Sequence, residues 1–218
     1  MTFGDKDHHP DQFWQGLEPA YKIAYGDVVD TVMTWEWQQG YALRSYLYPL
    51  VLSLPLHALR WLGIDSAILV VNSMFAMNCL ILTIGDLYLY KLGLQFLGRQ
   101  GATLALIYSL FNWRINDIFI KTLTNGVESV FCIIALYYYS QIKPQLDSHM
   151  IKMVFAITMG FIVRSSSLVG WVPLALFYIF KSWEYFVAIL IAGIVVVVPT
   201  LCLSILNDSY FYGYWCFP

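Results

Sequence analysis

The chain has 218 residues, of which 59% are hydrophobic and 12% charged, with a formal net charge of −2. That charged fraction is about half of the soluble-domain norm, and the mean hydropathy of +0.63 points to a membrane protein. There is no basic stripe of the kind that binds nucleic acid, and no CxxC spacing among Cys79, Cys132, Cys202 and Cys216. These cysteines read as small buried apolar side chains rather than metal ligands.

The first dozen residues are polar and hold no apolar core, so no cleavable signal peptide is expected. Residues 1–45 form the most polar part and carry Trp14, Trp35 and Trp37, which suits a membrane-interface segment, and residues 1–65 are placed on the non-cytoplasmic side as a loop with interfacial helices. Within it, Pro10 and Asp11 open a helix over 11–24, and a second, interfacial helix covers 46–62. Apolar runs follow at about 66–90, 101–113, 122–140, 153–163, 167–180 and 184–206. Counted this way, about 5–6 membrane segments occupy 66–206, in a single membrane domain of residues 1–218.

The loops set an orientation. Lys91, Arg99, Lys143, Lys152 and Lys181 fall between alternate runs, against a single acid, Asp147. The positive-inside bias puts those loops in the cytoplasm. Tyr137, Tyr138 and Tyr139 then mark the cytoplasmic interfacial belt. The opposite face receives the polar head, the charged break at 114–121, the break at Arg164-Ser165-Ser166-Ser167, and residues 207–218. That last segment is expected to start a lumenal loop, because Asn207-Asp208-Ser209 has the form of a glycosylation acceptor. Irregular backbone at membrane depth persists only when buried in protein or lining a cavity. A polar lumenal cavity is the expectation.

Several side chains could carry chemistry there, and each has a plainer reading. Asp11 suits a general base, or simply the N-cap of its helix. Arg164 suits an anionic phosphate, or a side chain snorkelling from a helix end. Arg114 and Lys121 flank the other break, where Asp117 and Glu128 could neutralise them internally. Thr124 or Asn125 could line a cavity or cap the next helix. Trp35, Glu36, Trp37 and Arg44 could face a carbohydrate, or anchor the chain among headgroups. The chain holds no GxGxxG, Walker or HExxH motif, so a glycosyl or phosphoryl donor would be lipid-linked rather than nucleotide-linked.

Six stretches, in order, carry a family resemblance: HPDQFWQGLEPAY (9–21), TWEW (34–37), RSYLYPL (44–50), KTLTNGVES (121–129), FIVRSSS (161–167) and DSYFYGYW (208–215). The chain resembles the dolichol-phosphate-mannose-dependent mannosyltransferases of the endoplasmic reticulum (glycosyltransferase family 22), above all the GPI mannosyltransferase III family. The resemblance implies an all-α, polytopic GT-C fold, with residues 1–65 as the catalytic loop in the lumen. It implies transfer of the third, α-1,2-linked mannose from β-linked dolichyl phosphate mannose to a GPI precursor, with inversion. The implied partners are that donor, the glycolipid acceptor and membrane lipids, with no cofactor or metal. By position, Asp11 would be the base, and Arg164 and Lys121 would bind the donor phosphate. His9, Gln12, Trp35, Glu36, Arg44 and Asn125 would contact sugar or acceptor. Sister enzymes of N-glycan precursor assembly, or a non-catalytic paralogue, are the alternatives. The family usually reads HPDE, where this chain has Gln12, and has Arg at the position of Lys121. It also has a membrane helix ahead of the catalytic loop and further helices beyond, so a longer parent protein is expected.

Overall fold

The computed structural model describes residues 10–26, 31–38, 40–64 and 66–216, with the backbone alone at 114, 115, 118 and 119. Among these residues the fold is helical, with no strand. His9 lies outside them.

The polar head folds as α1 (10–25), α-helical except for a π-helical turn at Phe13–Leu17. Its core face, Leu17, Ala20 and Ala24, packs against Leu52 and Leu56 of α2 (Leu47–Leu62). Gly63 closes α2 in the left-handed conformation. Near that end, Arg60 donates to the Ala24 carbonyl, satisfying an orphan acceptor at the end of α1.

The next helical stretch, Ala67–Phe111, is not one rod. Gly98 takes φ +68°, and the chain reverses there into two antiparallel limbs, α3 (67–97) and α4 (99–111). A Cβ on Gly93 would stand 3.0 Å from the Ala102 Cα. Further along, the Ser109 hydroxyl donates to Asp86 at 2.8 Å. A straight helix would hold those two residues about 35 Å apart. The runs expected at 66–90 and 101–113 are therefore both present, joined by a tight turn where a loop over 91–100 was expected.

Then come α5 (Trp113–Ile120), α6 (Thr124–Tyr139), α7 (Ser148–Val163), α8 (Leu168–Lys181) and α9 (Trp183–Tyr212), the last interrupted by a π turn at Gly193–Val197. The stretch Ala67–Phe111, through its longer limb α3, and Trp183–Tyr212 are long and apolar enough to cross a bilayer, whereas α7 and α8 are shorter apolar helices. Phe111, Phe180 and Trp183 are each more than 70% exposed. An outer surface of that kind suits hydrocarbon better than water. α9 runs past the expected end at 206, so Asn207-Asp208-Ser209 lies in a helix with Asp208 fully buried. The reading of a glycosylation site in a loop is corrected accordingly. None of the four cysteines is fully buried, and Cys202 is exposed, because α9 turns that face outward.

The two ends of the helix bundle differ in chemistry. At one end, Lys91 lies 4.6 Å from the Tyr88 ring, Lys152 5.5 Å from Tyr138 and Lys181 5.3 Å from Tyr178. Tyr88 and Tyr138 also join through their hydroxyls at 2.9 Å. Lysines bedded on tyrosines are what an interfacial belt requires. The polar head and both breaks gather at the other end.

Candidate active site

The site is assembled where both breaks meet the polar head. At the first, Lys121, Thr122 and Leu123 have left helical geometry and expose carbonyls that a membrane environment cannot solvate. Asn78 of α3, fully buried, meets this need. Its amide donates to the carbonyls of Ile120 (3.1 Å) and Lys121 (3.2 Å), and its oxygen accepts from Tyr48 at 3.1 Å. Unpaired, each of those groups would cost about 1–3 kcal/mol. The phenol of Tyr48 is pushed well above its ordinary pKa by burial, so it remains a donor.

Thr122 ties the break to the head, its hydroxyl donating to the Gln12 carbonyl at 3.0 Å. Thr124 donates to Gln15 at 3.4 Å. These bonds hold α1 across the start of α6 and so place Asp11. Asp11 sits inside the first turn after Pro10 and is partly exposed, whereas Gln12 is 1% exposed. Burial raises the carboxyl of Glu18, further along α1, above its ordinary range. The closeness of α1 to the break depends on Gly16, where a Cβ would lie 2.7 Å from the backbone oxygen of Thr122. Gly16→Ala is therefore expected to destabilise the protein by about 1–3 kcal/mol, measured as a lower melting temperature in detergent.

At the second break, Arg164 adopts extended backbone between α7 and a 3-10 turn at Ser165–Ser167. Its guanidinium donates to Asn125 Oδ1 and lies 3.5 Å from Glu128 Oε2. Glu128, expected to neutralise Arg114 or Lys121, thus faces Arg164. Lys121 pairs instead with Asp117 at 3.1 Å. The N-cap position of α6 is Leu123, which has no side-chain acceptor, and Thr124 and Asn125 lie inside the first turn, bonded to Gln15 and Arg164. The capping reading of those two residues is corrected.

Facing Arg164 is the loop over 34–46. Glu36 and Arg44 form a two-bonded ion pair at 2.8 and 3.0 Å. Trp35 is 55% exposed, but Trp37 is buried, its indole donating to the Trp14 carbonyl at 2.8 Å. Trp37 is thus an anchor of the loop rather than part of an open aromatic patch. Glu36, Arg44 and Ser45 on one wall, with Arg164, Ser165 and Ser166 on the other, enclose a cavity of about 320 Å³. Phe161 lines this polar cavity and also a largely apolar one of about 440 Å³ between α7, α8, α9 and the end of α6. The structure therefore joins Arg164 with Glu36 and Arg44, and Gln12 with Thr122. Asp11, Gln12, Lys121, Asn125 and Trp35 are not among the lining residues of that cavity.

Two residues escaped the sequence reading. Asn78 and Asp208 are polar groups inside long apolar helices, a costly placement that marks them for attention. In the sequence Asp208 is read only as part of the acceptor triplet, and Asn78 is not singled out.

Comparison with known proteins agrees with this picture. Residues 2–218 match the model of the Alg9-like mannosyltransferase family. GPI alpha-1,2-mannosyltransferase 3 of Bos taurus is 32% identical over 94% of this chain and 37% of its own length. The Homo sapiens protein of the same name is 31% identical over 94% of the chain and 36% of its length. GPI mannosyltransferase 3 of Yarrowia lipolytica is 33% identical over 77% of the chain and 32% of its length. The chain thus spans about a third of the length of these relatives. No solved structure matches. The family match over residues 2–218 establishes that the chain belongs to the Alg9-like mannosyltransferase family.

Proposed function

We propose that this chain is the catalytic part of an enzyme that transfers mannose from dolichyl phosphate mannose to a GPI precursor. The observation that carries this reading is the junction at Phe161, where a polar cavity bearing Arg44 and Arg164 adjoins an apolar groove. A donor with a phosphate head and an isoprenoid tail needs those two environments side by side. The names of the relatives support the acceptor and the α-1,2 linkage.

In this reading an acceptor hydroxyl attacks the mannose anomeric carbon on the face opposite the phosphate. Asp11 takes the hydroxyl proton. As the new C–O bond forms, the bond from the anomeric carbon to the phosphate oxygen breaks, and its electron pair leaves with dolichyl phosphate. Guanidinium donors at Arg164 meet that developing charge. A single displacement turns the β-linked donor into an α-linked product. The lysine–tyrosine end of the bundle faces the cytoplasm and the site faces the lumen of the endoplasmic reticulum, in a multi-pass arrangement.

Complementation tests the assignment. The complete protein, expressed in cells that lack the third GPI mannose, is expected to convert the two-mannose precursor into the three-mannose form. Persistence of the two-mannose precursor in cells that make the protein would reject the reading. Correction of a truncated N-glycan precursor instead would place the chain among the sister enzymes.

A further inference from the structure

Asp208 lies near the end of α9 and is 0% exposed. Its Oδ1 accepts from the Tyr46 backbone N–H at 2.7 Å, the Ser45 hydroxyl at 3.1 Å and the Asn207 amide at 3.3 Å. Its Oδ2 accepts from the Ser204 hydroxyl at 3.3 Å. One turn on, the Tyr212 hydroxyl donates to the Arg44 carbonyl at 2.8 Å, and the Tyr214 hydroxyl accepts from the Gly40 N–H at 3.2 Å. The end of α9 therefore grips residues 40–46 at their backbone on both sides of the Arg44 side chain. Around this grip Trp37, Ala42, Tyr46 and Tyr212 form a buried hydrophobic cluster. Burial and the nearby Asp208 charge push the Tyr46 phenol up to about 12, which keeps it neutral.

Stability alone does not call for a carboxylate here. A buried charge is costly to desolvate, and an apolar side chain of similar volume commonly does as well or better. What an apolar side chain cannot do is fix the Ser45 hydroxyl and the Tyr46 N–H, and with them the direction in which Arg44 leaves the loop. From this geometry we infer that Asp208 is a positioning residue for mannose transfer: it holds Arg44 across the cavity from Arg164, so that both guanidiniums address one phosphate. The inference rests on the reading of that cavity as the donor-phosphate site.

The test uses the complete protein in microsomes free of the endogenous activity, with dolichyl phosphate mannose varied. Arg44→Ala alone tests the cavity, and it is expected to raise the apparent KM for the donor about tenfold. Asp208→Leu is expected to raise the same KM about tenfold, with kcat within about threefold. Asp208→Asn keeps a carbonyl acceptor for Tyr46 and Ser45, and is expected to bring KM back within about threefold of the parent. In the Arg44→Ala background, Asp208→Leu is expected to change KM by less than about twofold, because it acts through Arg44. Should Asp208→Leu fail to accumulate, Asp208→Glu takes its place; it keeps the charge but displaces the carboxylate by one methylene. An undiminished KM rise in the Arg44→Ala background, or a fall in kcat with KM unchanged, would overturn the role of Asp208. An unchanged KM in Arg44→Ala alone would reject the cavity as the phosphate site, whatever Asp208 does.

Discussion

Asp11→Asn is expected to reduce mannose transfer by at least about a hundredfold, the scale on which a lost general base is felt. The substitution is isosteric, and Asp11 is partly exposed at the start of α1. The fold should therefore survive it, with the melting temperature in detergent within about 2 °C of the parent. Transfer of labelled mannose to the precursor, measured at saturating donor, checks the first expectation. Retention of transfer would remove Asp11 from the base role. The neighbouring position sharpens the test. Gln12 is 1% exposed, so an acid there would be buried rather than presented to substrate. The departure from the family's usual acid at this position leaves the exposed carboxylate untouched. Gln12→Glu is correspondingly no route to higher activity.

Arg164→Ala should act on the donor rather than on the base. Charge-assisted hydrogen bonds are worth about 1.5–3 kcal/mol each, so the apparent donor KM should rise about tenfold to a hundredfold. Part of any loss will be structural, because Glu128, with 18% side-chain exposure, then faces the site without the guanidinium now 3.5 Å away. Combining Arg164→Ala with Glu128→Gln separates the two effects. The melting temperature should recover while the donor KM stays high. Arg164→Lys should fall between, since it keeps a charge but not the planar fork. Donor dependence unchanged in Arg164→Ala would make the residue structural. Lys121 gives a useful contrast: it already pairs with Asp117 at 3.1 Å and lies outside the cavity. Arg44, by contrast, lines the same cavity as Arg164.

The helices and the breaks were legible because both are local signals. Runs of apolar residues fall where helices form, and Arg164 or Lys121 interrupts such a run whatever the rest of the chain does. The polar head was legible for the same reason, with its helices found at 10–25 and Leu47–Leu62 close to the 11–24 and 46–62 expected. A lysine–tyrosine belt at the end remote from the polar site was likewise readable from Lys91, Lys152, Lys181 and the tyrosine run.

Pairing was not legible, because it depends on which helix faces which. Thr124 and Asn125 have the chemistry of caps, yet the helix starts with Leu123 at its N-cap, and the two side chains bond Gln15 and Arg164 across the fold. Gly98 looks like any glycine near a charged loop, and only the φ of +68° shows it reversing the chain within one residue. The opposition of Arg44 and Arg164 depends on a loop more than a hundred residues upstream. Sequence by itself determined that this is an apolar helical chain with a polar end carrying Asp11 and Arg164, since hydropathy and charge act residue by residue. Tertiary structure alone decided which groups meet there, because a buried donor or acceptor such as Asn78 or Asp208 takes the partner that packing brings to it.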